Sequence, residues 1–417
     1  MNKAKKLPLP IGSTDYRKIC DQYYYVDKTL MLKDILDDSS SFVLFTRPRR
    51  FGKTLNMDML RTFFEKTDED TSRYFKDKKI WAQGEEYTCH QGKYPVIFLS
   101  FKDAKQNTWE EMYAEIQETI KDEFYRHYEL KDSEKVKDKA YFQSILNGKA
   151  SKAELGKSIL RLSEMLRQHY GQKVVLLIDE YDTPIQSGHA YNFYDDVINF
   201  MRNMLSAGLK DNNNIAFGIL TGILRVAKES IFSGLNNIRV YSVLDKKYSS
   251  YFGFTNAEVE DMALYYEKED KVPEVKEWYD GYIFGETEIF NPWSVLNYFA
   301  NDCLAMPYWV QTSENFVVYD LLNCLNTEIF QKLNELVSGK IVTSIVETNV
   351  VYPEIKNRAE NIFAFLLMTG YLKAVRTTLT PFGDRECELS IPNKELTNVY
   401  YKEILNRLSD RRETIRC

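Results

Sequence analysis

The residues with the plainest chemical potential are Gly52, Lys53 and Thr54, which end the stretch FTRPRRFGKT at positions 45–54. Glycine, lysine and a hydroxyl residue in that order close the phosphate-cradling pattern G-x-x-x-x-G-K-[ST]. In such a loop Gly52 lets the backbone approach phosphate oxygens, and Lys53 reaches the β- and γ-phosphates. The Thr54 hydroxyl ligates Mg²⁺. Loop amides and the start of the following helix favour the anion, so the nucleotide-binding stretch expected here is Arg47, Pro48, Arg49, Arg50, Phe51, Gly52, Lys53, Thr54 and Leu55. The place of the first glycine holds Arg47. A side chain is tolerated there only at negative φ, and Pro48 stiffens the loop in partial compensation. Arg47, Arg49 and Arg50 either reinforce phosphate binding or face an acidic partner surface.

A basic turn that opens a helix is common, so a second constellation has to decide. It is KVVLLIDEYDTP at 173–184. An apolar strand ends in Asp179-Glu180, which places two carboxylates at its C-terminal end. Asp179 can hold Mg²⁺, usually through water, and Glu180 can polarise an attacking water as general base. A buried strand ending in an acidic turn is common by itself; the pair of motifs together is far less so. The next apolar run, IAFGIL, ends in Thr221-Gly222, and Thr221 is either a γ-phosphate sensor or a satisfied strand-end threonine. Arg225 follows as a candidate for neutralising transition-state charge, with Arg202 and Arg239 as competitors. Asp182 has a turn or capping role as its simpler explanation.

Other chemistry finds little support. The four histidines (His90, His127, His169, His189) lack metal-ligand spacing. The lone E-x-K in Pro353-Glu354-Ile355-Lys356 has no strand-end aspartate to complete a nuclease set. No Ser–His–Asp or Cys–His arrangement can be assembled.

These residues need a scaffold, and the chain spells one. Runs at 42–46, 95–101, 174–178, 215–220 and 238–244 read as strands. Three are apolar almost throughout, as strands covered on both faces are. Helix-length connections between them predict a parallel α/β sheet. PVIFLSF lies between the loop strand and the acidic strand, an order that fits ATPases whose two motif strands are not neighbours. One helix is spelled out: Ser151 and Glu154 form a capping box, Leu155, Ile159, Leu162 and Leu166 share a face, and Gly171 ends it. Residues 255–302 read as mainly helical around the turn-rich YDGYIFGETEIFNP. Further helices follow, then a hairpin (GYLKAVRTT, TPFGD, RECELSIP) and a last helix, NKELTNVYYKEILNRL. The divisions expected are 1–250, a helical lid-like segment 251–302, and 303–417.

The totals bound the function. A chain of 417 residues, 44% hydrophobic and 28% charged, belongs with globular proteins of two or three domains. A net charge of −6 argues against general nucleic-acid binding, leaving that to a local patch such as RLSDRR near the C-terminus. Six scattered cysteines without CxxC spacing suit free thiols in a reducing compartment. The start, MNKAKKLPLPIGSTDY, has no apolar stretch behind its basic residues, and VVLLI is too short to cross a bilayer. A cytoplasmic, soluble protein with no membrane contact is expected.

With these residues in place, the chain resembles the bacterial AAA-ATPase-like proteins. LPIGSTDYRKI, YYYVDKT, FTRPRRFGKTLNMDML, YPVIFLSFKD and LLIDEYDTPI carry the resemblance. It continues through LTGILRVAKESIFSGLNN, WYDGYIFGETEIFNPWSVLNYF and GYLKAV…LSIPNKEL. The family's loop commonly reads RPRRFGKT, so Arg47 is its usual form. The resemblance implies a P-loop NTPase fold related to STAND and archaeal ATPases, followed by helical and winged-helix-like segments, with ATP and Mg²⁺ bound. It implies Walker A roles for Lys53 and Thr54 and Walker B roles for Asp179 and Glu180. It also places Ile11-Gly12 and Tyr25 near the base, and a protein partner or effector downstream. The family's nuclease-like domain would begin where NRLSDRRETIRC stands, and no complete D…E-x-K set is present. The expectation is a truncated member or a piece of a longer protein.

Overall fold

The structure, a computed structural model, describes residues 5–226, 238–309, 327–350 and 352–401. The first strands along the chain are β1 (Phe42–Thr46), β2 (Val96–Ser100), β3 (Val174–Asp179), β4 (Ile215–Gly222), the two-residue β5 (Arg225–Val226) and β6 (Ile238–Tyr241). All except β5 join one five-stranded sheet in the order β2-β3-β4-β1-β6. Every pairing in it is parallel.

The sequence dictates this arrangement through burial. Every residue of β1 and β3 is buried, so both faces of the sheet are covered, as parallel sheets require. Alternate side chains of β2 show by what. Ile97 and Leu99 meet Ile120, Phe124, Ile159 and Leu162 of the helices Trp109–Arg126 and Ser158–Tyr170. Phe98 points the other way and lies 4.9 Å from the Arg61 guanidinium of the helix Lys53–Phe64.

The two motif strands are not neighbours, as expected, and β4 separates them. The PVIFLSF strand, intermediate in sequence, lies at the sheet edge instead. That edge is dressed by side chains. The Phe98 N–H donates to the Glu123 carboxylate at 2.8 Å, and the Val96 carbonyl meets the His127 ring at 3.0 Å.

The capping box at Ser151 and Glu154 forms, and Gly171 closes its helix at φ +68. The single helix expected between them is two, Lys152–Leu155 and Ser158–Tyr170, because the chain breaks at Gly156-Lys157.

Residues beyond the sheet gather a second hydrophobic cluster, including Val259, Met262, Val275, Tyr279, Phe290, Val295 and Tyr298. Its helices are Asn256–Tyr266, Val272–Tyr279 and Pro292–Ala300. YDGYIFGETEIFNP folds into a hairpin of β7 (Tyr282–Phe284) and β8 (Thr287–Ile289). The N-terminal segment packs on this cluster through Leu9, Tyr24 and Val26. Lys28 is buried there and pairs with Glu258 at 2.6 Å.

Farther on come β9 (Val342–Ile345), β10 (Asn349–Val350), β11 (Lys373–Leu379) and β12 (Arg385–Ser390). The expected hairpin is β11-β12, and β9 extends it to a three-stranded antiparallel sheet. β10 pairs with β5. The last helix begins at Lys394 as expected; its expected continuation past residue 401, with RLSDRR, lies outside the described residues. Among the described residues no helix is long and apolar enough to cross a membrane.

Candidate functional site

Strand β1 delivers the loop to the C-terminal edge of the sheet, and the helix Lys53–Phe64 leaves it. Gly52 has φ +81 and its carbonyl accepts from the Asn56 N–H, so it both turns the chain and opens the helix. Lys53 is buried; its ammonium donates to the carbonyls of Arg47 at 3.1 Å and Pro48 at 2.9 Å. Burial lowers its pKa, with the carboxylates of Glu180, Asp179 and Asp182 opposing.

The two motifs meet directly. The Thr54 hydroxyl donates to Asp179 Oδ2 at 2.8 Å, joining helix start to strand end. Thr221 donates to the other oxygen, Asp179 Oδ1, at 2.5 Å, and its own hydroxyl accepts from the Glu180 N–H at 3.1 Å. Thr221 is buried, and its hydroxyl bridges the Asp179 carboxylate and the Glu180 backbone N–H. Burial and neighbouring Glu180 raise the Asp179 pKa, while the hydroxyls of Thr221 and Thr54 pull it down. Asp182 serves structure: Oδ2 accepts from the N–H groups of Ile223 at 2.9 Å and Leu224 at 3.0 Å.

A cavity of about 420 Å³ opens over this junction. Arg49, Arg50, Phe51, Gly52, Lys53, Thr54, Leu55 and Glu180 lie on its wall. Asp179 and Thr221 stand behind it, reached through Thr54. Gly12 and Tyr25 also line it, together with Tyr24, Phe254 and Trp293 from the second cluster's side. Its wall therefore runs from a cationic loop to an aromatic flank.

Three expected residues stand elsewhere. Arg47 is buried beneath the loop, not at a positive φ, and one guanidinium nitrogen donates to the carbonyls of Thr46 and Tyr241, both at 2.8 Å. The rings of Phe252 and Phe284 flank it at 5.0 and 5.3 Å. Burial pushes its pKa down to about 9, with Asp245 opposing. Pro48 packs behind the loop near Gly370. Arg225 lies in β5, and neither it nor Arg202 or Arg239 lines the cavity. The left-handed turn that a first glycine would take falls instead on Arg50, at φ +70.

Sequence reasoning missed the far wall. Lys102, Asp103 and Lys105 reach the cavity from the turn after β2. That turn is anchored by buried Phe101, whose N–H donates to the Asp179 carbonyl at 3.0 Å. The available signal was three charges directly behind an apolar strand. Trp293 had no local signal.

Among the described residues, no group of three or more His, Cys, Asp and Glu could hold a metal ion. Pro353-Glu354-Ile355-Lys356 lies in the 3₁₀ turn Tyr352–Asn357, which follows the two-residue β10.

A curated protein of Azotobacter chroococcum mcd 1, described as an uncharacterized protein in the vnfD 5' region, is 29% identical over 327 residues. The match takes in 75% of this chain and 56% of that protein, so this chain spans little more than half of its relative's length. The family described as Predicted AAA-ATPase matches residues 10–232, which include the loop, the acidic strand and β4. With that match extending over more than half of its residues, the chain belongs to the predicted AAA-ATPase family.

Proposed function

We propose that this protein binds ATP with Mg²⁺ and hydrolyses it, coupling nucleotide state to a partner or to an effector segment. The observation that carries the proposal is the Thr54–Asp179 contact at 2.8 Å, which lies directly behind the cavity wall formed by Lys53, Thr54 and Glu180. Two hard oxygen donors converging at one point suit Mg²⁺, which takes few protein ligands and leaves other positions to water and phosphate. Thr54 and Asp179 would hold the ion, and bound there it would offset charge on the phosphate oxygens.

Lys53 already rests on the loop carbonyls of Arg47 and Pro48, so a phosphate entering the loop meets a desolvated ammonium. Glu180 sits at the strand end, where it can orient and deprotonate a water. Thr221 holds the Asp179 carboxylate and the Glu180 backbone, and the Thr183 hydroxyl donates to the Glu180 carboxylate at 3.3 Å. Arg49 and Arg50, and not Arg225, are the arginines within reach of the triphosphate in this reading. Gly12, Tyr25 and Trp293 form the flank for the base.

The test is ATP binding and phosphate release by the wild type, Lys53→Ala and Glu180→Gln. Expected are loss of both in Lys53→Ala, and loss of release with retained binding in Glu180→Gln. Tight wild-type binding with no release, unchanged in Glu180→Gln, would instead make the protein a nucleotide-dependent switch.

The order of a helix (Thr327–Val337), β9, a second helix (Ala359–Met368) and the β11-β12 hairpin supports a winged-helix-like reading of the C-terminal region. A DNA contact through the second helix has little to offer a groove, because Ile362 to Met368 are all buried.

A further inference from the structure

The phosphate loop holds a conformation that needs support. Arg50 is left-handed at φ +70, a state that residues with a Cβ keep only where surrounding contacts over-determine it. Two indoles supply such contacts. The Trp309 Nε1–H donates to the Arg49 carbonyl at 3.3 Å, in the peptide just before the left-handed residue. The Trp293 ring lies 3.8 Å from the Arg50 guanidinium carbon.

One buried carboxylate holds the Trp309 backbone and Ser294, the residue next to Trp293. Glu395 accepts from the Trp309 backbone N–H at 2.7 Å through Oε1, and from the Ser294 hydroxyl at 2.8 Å through Oε2. Ser294 adjoins Trp293 in the helix Pro292–Ala300. Glu395 is fully buried near the start of the helix Lys394–Val399 and takes no part in the chemistry proposed above. Burying a carboxylate is costly, and its two bonds lead by separate routes to neighbouring arginines, one through Trp309 to Arg49 and one through Ser294 and Trp293 to Arg50.

We infer that Glu395 is a positioning residue for the phosphate loop. It acts through Trp309 and the Ser294–Trp293 pair to keep Arg49 and Arg50 on the cavity wall. Nucleotide affinity then depends on the docking of a C-terminal helix remote from the loop in sequence. The inference rests on the nucleotide reading of that loop, and it gives Arg49 and Arg50 a partner within the chain.

The experiment measures Mg-ATP affinity, KM and kcat for the wild type, Trp309→Phe, Glu395→Ala and Glu395→Gln, with circular dichroism and melting for each. Trp309→Phe keeps an aromatic ring and removes the N–H donor; it is expected to weaken affinity and raise KM about five- to tenfold, the effect of one lost hydrogen bond, with kcat little changed. Glu395→Ala moves the same way. Glu395→Gln recovers, because its amide oxygen serves Trp309 and its NH₂ can donate to Ser294. A folded Trp309→Phe variant that binds ATP like the wild type overturns the inference, and it decides alone if Glu395→Ala does not fold. Failure of the wild type to bind Mg-ATP overturns the nucleotide reading itself, and this inference with it.

Discussion

Replacing Arg47 by glycine would restore the first glycine of the phosphate-loop pattern, yet the structure predicts harm. The guanidinium donates to the carbonyls of Thr46 and Tyr241 and fills the space between Phe252 and Phe284. Arg47→Gly leaves two buried acceptors unmet, at about 1–3 kcal/mol each. It also empties a side-chain volume, at about 2–5 kcal/mol, and frees the unfolded backbone by about 0.5–1 kcal/mol. Against this, removing a buried cation returns several kcal/mol. That offset is real here, because Nε and Nη2 find no hydrogen-bond partner among the described residues. The net expectation is a destabilisation of about 3–5 kcal/mol, a large share of an ordinary folding free energy. Arg47→Met keeps the volume and removes the charge, so it should stay within about 2 kcal/mol of the wild type. Urea unfolding with linear extrapolation reads both, and an ATP titration runs beside it. If Arg47→Gly unfolds like the wild type while ATP affinity collapses, the guanidinium acts on phosphate and the reasoning fails.

Glu395 carries a pH signature. Burial raises its pKa to about 7, with hydrogen bonds from Trp309 and Ser294 opposing. A raised folded pKa gives stability that is complete below the unfolded value near 4.5 and is lost as pH rises toward 7. Glu395→Gln should therefore unfold like the wild type near pH 4.5 and outlast it at pH 8 by up to about 3 kcal/mol; a difference independent of pH would contradict this. Gly253 has φ +101, and a Cβ there would stand 2.2 Å from Ile289 Cγ2. Gly253→Ala should lower the melting midpoint by several degrees and disturb Phe51 beside it, while equal melting would show that the β8 contact yields freely.

The strands were legible because strands buried on both faces are apolar almost throughout, and FVLFT and VVLLI are short runs, rich in β-branched or aromatic residues, between helix-length connections. The caps at Ser151 and Gly171 were legible because their hydrogen bonds are local. The break at Gly156 was not, since the helical face of Leu155, Ile159 and Leu162 continues across it. The order of strands was half-legible. Separation of the motif strands followed from the type of motif, whereas the choice of β4 as separator depends on crossovers that no local run encodes. In the site, Lys53, Thr54, Asp179 and Glu180 belong to contiguous motifs, and the fold brings them together. Lys102, Trp293 and Glu395 are single residues made relevant only by packing over long sequence separation. Arg47 reads as a ligand by position, and its burial among aromatic rings is a tertiary fact.

The dressed edge of β2 has a consequence of its own. An open sheet margin recruits strands from other copies, and proteins pay heavily where such pairing begins. Here the Phe98 donor is already occupied by Glu123, whose carboxylate stays ionised down to about pH 2 because Arg126 and His127 outweigh its burial. A passing chain finds that rung of the ladder taken. Strand addition at this edge is thus opposed by Glu123 at Phe98 and by His127 at Val96, and the Glu123 part of that block should persist through mild acidification.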